Sequence, residues 1–244
     1  TPGFSKELKS KYSNKNLIDT TWFQYLQQPF LLDLSEEFNA YPNSKIYNDS
    51  LATEHNFKTL RTPSSVLHIG THGTFDDNSP LFSKLVFLAE DDEDGYLHTY
   101  ELFNTEFKND LVVLSACNTG TGNIENGHGV ISIAQAFTHS GSPATVMTLW
   151  EVDEKATAEI LKSFYKNLAK GQRKSSALRN AKLKYIDSSP AELRQPYYWA
   201  GLIILGNDDP ITLSKSSVPL YMYLIVVLLI LLIFIFFQTR SSSK

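Results

Sequence analysis

The chain has 244 residues, of which 42% are hydrophobic, 12% aromatic and 20% charged, with a formal net charge of −4. That is enough for one domain of ordinary size plus an appendage, too apolar for a disordered segment, and without the basic footprint that nucleic acid requires. The single cysteine, Cys117, excludes an intramolecular disulfide framework and a multi-cysteine zinc site, so it reads as either a buried small hydrophobe or a reactive thiol.

The chain opens at Thr1 without an initiator methionine, which suggests the C-terminal part of something longer. Within residues 1–60, YSNK (12–15) and YPNS (41–44) read as turns, and Leu34 to Tyr41 and Leu51 to Leu60 as short helices. From Ser65 the pattern sharpens into apolar runs expected as buried strands: VLHIG (66–70), KLVFLA (84–89), DLVVLSA (110–116), ATVMTLW (144–150) and WAGLIILG (199–206). Ile160, Leu161, Phe164, Tyr165 and Leu168 recur at helical spacing behind Asp153 and Glu154, with Gly171 as the stop, and a second helix is expected from Ser176 to Ile186. Uniformly apolar strands separated by helices predict an α/β sandwich with a largely parallel sheet, whose chemistry collects at the carboxyl ends of the strands.

Two strands end in reactive groups: VLHIGTHG finishes at His72-Gly73, and LVVLSACNTG contains Cys117 followed by a small polar loop. A thiol is mostly protonated at neutral pH, and a histidine close in space supplies the base that makes it a nucleophile. Gly73 lacks a Cβ, so its amide can approach an oxyanion closely, with the amide of Cys117 as a second donor. Other groupings carry less. His68 and His72 lie four apart, and along a strand that separates them by about 13 Å, too far to share a metal. His128-Gly129, a second HG pair, follows a loop rather than a strand and reads as a solvent-exposed loop or helix start. The acidic run Asp91 to Asp94 before Gly95 reads as a solvated hairpin turn and lacks the pattern of a calcium loop, so no metal is expected.

From about Leu51 to Ile211 the chain resembles the CHAT family of caspase-like proteins. The stretches that carry the resemblance, in order, are LATEHNF, VLHIGTHG, SPLFSKLVFL, DGYLHTYELF, DLVVLSACNTGTG, ATVMTLWEVDEKATAEILKSFYKNLAKG, SSALRNAKLKYI and QPYYWAGLIILG. The spacing of His72 and Cys117 is also comparable with the roughly 50 residues by which a caspase histidine precedes its cysteine. The resemblance implies a caspase-like three-layer sandwich and, in members that are peptidases, a His/Cys dyad, here His72 and Cys117, with the Gly73 and Cys117 amides as the oxyanion hole. It makes Trp150 and Asp153 candidate substrate-pocket residues, alongside core packing for Trp150 and helix capping for Asp153. It implies a protein or peptide substrate, no cofactor, and tetratricopeptide repeats as a possible upstream partner. The alternative within the family is a non-catalytic CHAT module acting as a membrane-tethered signalling scaffold.

Val218 to Phe237 runs without a charge, and twenty helical residues at about 1.5 Å each span roughly 30 Å, the thickness of a bilayer core. The expected layout is therefore a CHAT domain over residues 1–213, of which 1–50 is the least defined part, a linker at 214–217, a single-pass membrane helix at 218–237 and a polar tail at 238–244. Lys215 on one side of the span against Arg240 and Lys244 on the other leaves the side of the catalytic domain open.

Overall fold

The computed structural model describes residues 28–60, 63–74, 76, 79–90, 92–115, 133–150 and 152–213. The expected membrane span at 218–237, Cys117 and His128 lie outside the described residues. Among the described residues no helix is long and apolar enough to cross a membrane.

The principal sheet contains β1 (Ser64–Ile69), β5 (Asn109–Leu114), β6 (Ala144–Thr148) and β7 (Leu202–Gly206), in the order β1-β5-β6-β7. β1, β5 and β6 are parallel and β7 is antiparallel to β6. The alternation of side chains along β5 divides the core in two: Leu111 and Val113 face one layer, Val112 and Leu114 the other. The first layer contains α1 (Pro29–Glu36), α5 (Glu154–Leu168) and α6 (Lys174–Ser188). The second contains α2 (Glu54–Thr59), α3 (Thr99–Phe103), α4 (Ile133–His139) and a smaller sheet. This is the expected three-layer sandwich with a largely parallel central sheet.

Among the described residues one helix, α4, lies between β5 and β6, which are parallel; the long helices α5 and α6 lie between β6 and β7, which are antiparallel. The short helix α7 (Pro196–Trp199) takes up the start of the run that reads as strand in the sequence. At the far end, Gly206 has φ +91°, and a Cβ there would stand 2.2 Å from the Pro143 carbonyl oxygen.

The KLVFLA run is buried as expected but does not join the principal sheet. Lys84–Val86 forms β3, the middle of a three-stranded antiparallel sheet with β2 (Gly73–Thr74) and β4 (Tyr96–His98). Among the described residues between β1 and β3 there are the two-residue β2 and a 3₁₀ turn, Pro80–Phe82, and no crossover helix of the kind a parallel return needs. Residues 92–94 of the acidic run lie in the expected turn, with the Glu90 and Glu93 backbones bonded to each other, and Gly95 (φ +86°) fits beneath it where a Cβ would lie 2.8 Å from Phe87 O. The Glu93 carboxylate folds back to meet Lys58.

Both helix-start acids ahead of α5 are used, in different ways. Asp153 caps its own helix, accepting from Ala156 N at 2.8 Å. Glu154 reaches across the layer, and its Oε1 accepts from the Phe30 and Leu31 amides at 2.8 and 3.1 Å at the start of α1. α6 has no cap of its own; Asp208, in the loop after β7, accepts from Ser175 N at 2.6 Å instead.

Candidate active site

Because β1 and β5 are adjacent and parallel, the chain segments leaving them emerge at the same edge of the principal sheet. Ile69 and Leu114 are register partners, and His72 and Cys117 follow them at the same three-residue offset in sequence. His72 stands where the chain passes from β1 into the smaller sheet, and it is half-buried. Its position is set by two bonds to one residue of β3: Val86 N donates to His72 O at 2.9 Å, and the hydroxyl of Thr71, 1% exposed, donates to Val86 O.

The same register turns Gly73 outward. In an antiparallel pair, hydrogen-bonded and non-hydrogen-bonded positions alternate. His72 is bonded to Val86, so Gly73, opposite Leu85, occupies the position whose N–H and C=O point away from β3. Since β2 is an edge strand, the Gly73 amide is not consumed by the sheet.

Trp150 follows β6 at the same edge. Its ring lies against Gly201, where a Cβ would approach to 2.9 Å, and its Nε1 donates to Tyr197 O at 3.1 Å. Trp150 is half-buried, whereas Asp153 is exposed and its Oδ1 is engaged in capping α5.

Both ring nitrogens of His68 have hydroxyl partners. Nδ1 lies 2.8 Å from Tyr165 Oη and Nε2 lies 3.0 Å from Ser115 Oγ. Burial against Phe38 and Tyr165 pushes its pKa down from 6.5 to about 3, so the ring is neutral. Burial likewise pushes the Tyr165 phenol well above its ordinary value, so it keeps its proton. The sequence places Tyr165 on the apolar face of a helix and Ser115 at the end of a strand run, but carries no signal that pairs either of them with His68.

A second polar cluster lies under the smaller sheet. Lys58 Nζ contacts Glu54 at 2.8 Å and both Glu93 and Glu101 at 2.6 Å. These three carboxylates are grouped closely enough to hold a metal ion, but the ammonium of Lys58 already sits among them. Burial works to lower the pKa of Lys58, and its bonds to Glu101, Glu54 and Glu93 outweigh that and hold it above the ordinary lysine value. Glu54, 1% exposed, has its pKa raised by burial against the opposing pull of Lys58.

Comparison with solved structures identifies the same fold in the Arg-specific cysteine proteinase gingipain R, RgpB, at 12% identity and a TM-score of 0.52 over 80% of this chain and 44% of that one. The complex of Porphyromonas gingivalis RgpB pro- and mature domains matches at 14% identity and a TM-score of 0.50, over 80% of this chain and 45% of that one. The chain thus spans less than half the length of these proteinase chains, and the likeness is one of fold. No curated protein sequence matches it. The CHAT domain family matches residues 26–207, three quarters of the sequence and every described strand, and the chain therefore belongs to the CHAT domain family.

Proposed function

We propose that this CHAT domain is a cysteine endopeptidase in which His72 and Cys117 form the dyad. The observation that supports it most is the register of β1 and β5, which pairs Ile69 with Leu114 and so gives the two reactive residues the same offset from neighbouring strand ends. The fold shared with a cysteine proteinase agrees with it.

In this reading His72 takes the Cys117 proton, and the thiolate attacks the scissile carbonyl carbon, forming a C–S bond. The outward amide of Gly73, with that of Cys117, holds the oxyanion. As the intermediate collapses, the C–N bond breaks and the leaving amine takes the proton from His72; water then hydrolyses the thioester, releasing the acid and restoring the thiol. No cofactor takes part. Trp150, and Asp153 at the start of α5, border the approach for a protein or peptide substrate. The segment 218–237 tethers the domain to a membrane, and upstream tetratricopeptide repeats would deliver substrate or restrain the site.

The test is labelling of the intact chain with a peptidyl electrophile together with cleavage of a peptide library. Cys117→Ala abolishes both, His72→Ala slows both by on the order of a hundredfold or more, and His128→Ala leaves both unchanged. Cleavage that survives Cys117→Ala excludes the mechanism. Labelling without cleavage of any peptide favours the scaffold reading. Resistance of the intact chain to carbonate extraction, lost on truncation after Ser217, tests the tether.

A further inference from the structure

Between the principal sheet and the α5 layer lies a chain of three polar side chains that the proposed chemistry leaves unused. His68 is paired in register with Val113, two residues before Ser115. Ser115 is 5% exposed and extends the β1–β5 ladder by one bond, its N–H donating to Ile69 O at 3.0 Å. Its hydroxyl lies 3.0 Å from His68 Nε2 and 3.4 Å from Ile69 O, while Tyr165 Oη lies 2.8 Å from His68 Nδ1. One proton arrangement satisfies every group: Tyr165 O–H donates to Nδ1, Nε2–H donates to Ser115 Oγ, and the Ser115 hydroxyl donates to Ile69 O. Three elements, β1, β5 and α5, are thus tied together where the chain leaves β5, and Cys117 comes two residues later.

We propose that His68 is a positioning residue, gripped by Tyr165, that fixes Ser115 at the end of β5, two residues before Cys117 in the sequence. The inference rests on the reading of Cys117 as the nucleophile. Apolar side chains would close the same space without desolvating three polar groups, so a fully satisfied polar chain here is explained by the position it fixes rather than by stability. Because burial keeps the His68 ring neutral down to about pH 3, it remains a fixed donor and does not compete with His72 for the thiol proton.

Since the sequence contains one cysteine, alkylation of the intact chain by iodoacetamide reports on Cys117 alone. The experiment is the pH–rate profile of alkylation for wild type, Ser115→Ala, Tyr165→Phe, His68→Leu and His68→Gln, each checked for folding by circular dichroism. Ser115→Ala and His68→Leu should slow alkylation near pH 6 on the order of tenfold or more and move the thiol pKa upward, because displacement from the base reduces the thiolate fraction. His68→Gln, which keeps a donor toward Ser115, should recover part of the loss. If His68→Leu does not fold, Ser115→Ala and Tyr165→Phe decide the matter. Folded variants whose profiles superimpose on that of wild type overturn the proposal, as does a slowing equal at every pH with no movement of the pKa. His72→Ala separates this from failure of the dyad: an unchanged profile in that variant removes the dyad and the inference with it, whereas a changed profile there beside unchanged profiles in folded Ser115→Ala and His68→Leu overturns the inference alone.

Discussion

The two sheets meet at His72 and share an apolar layer, but differ in what supplements it. The principal sheet is buried on both faces, and its four strands are packed by apolar side chains from Leu111 to Leu202. The smaller sheet has three short strands that share this apolar core through Leu85 and Leu97 and adds polar fastenings: Thr71 to Val86, the Thr99 hydroxyl to Ser83 O, the Glu54 carboxylate to the Gly95 amide, and Lys58 to three glutamates. Hydrophobic burial is non-directional and tolerates small shifts, whereas hydrogen bonds and ion pairs fix angles. The part of the fold next to His72 and Gly73 is the part that adds directional side-chain interactions to apolar packing.

That contrast is broken most severely at Phe164, fully buried between α5 and the principal sheet. Phe164→Ala should cost about 3–5 kcal/mol and lower the stability of both sheets together, read as one transition in denaturant unfolding. Preserved protection of principal-sheet amides in this variant would mean that the apolar core is not what holds the sandwich.

Lys58→Met addresses the other side of the comparison. It leaves Glu54 buried without its cation and should cost about 2 kcal/mol, below the value for a fully buried pair because the Lys58 side chain is 25% exposed. Hydrogen exchange should accelerate first in β2, β3 and β4. The sign with pH follows from Glu54, whose folded pKa is raised: its favourable contribution is present below the unfolded value of 4.5 and is lost as pH rises through the folded pKa. The variant should therefore be relatively more stable near pH 4 than near pH 8. In the wild type the raised pKa of Lys58 contributes stability that is fully present below 10.5 while its glutamate partners are ionised, and is lost only as pH rises above that.

A smaller effect is expected at His68. Its folded pKa lies below the unfolded one, so between 6.5 and about 3 the unfolded state binds more protons, and stability falls as pH falls through that window. The wild type should lose about 1 kcal/mol per pH unit below 6.5 from this group, and thermal melts of His68→Gln should show a flatter dependence between pH 6.5 and 5. Equal slopes in the two proteins would mean that the ring is not held neutral.

The smallest effect belongs to the exposed pair of Arg173 and Asp208, at 2.8 Å. Such pairs are screened by solvent. Arg173→Gln should leave the melting temperature unchanged within error, provided that Asp208 still accepts from Ser175 N.

Much of the architecture is legible from residue order alone. The apolar runs locate the strands and Asp153 marks the start of α5, whereas the reversal of β7 against β6 is read only from the pairing of the two strands. Membership in the CHAT family is likewise carried by local motifs, and hydrophobic periodicity and strand-end chemistry are properties of neighbours along the chain. What tertiary structure decided is pairing across distance. KLVFLA reads as one more buried strand until Lys84–Val86 is found paired antiparallel with β2 and β4 in a separate sheet. Glu154 reads as a helix-start acid until it is found capping α1, more than a hundred residues earlier, and Glu93 as part of a solvated turn until it meets Lys58. His68 reads as a poor metal ligand until Tyr165 and Ser115 occupy its two nitrogens. Burial and partner identity depend on residues remote in sequence, and the direction of a hydrogen bond is set only once those residues are brought together.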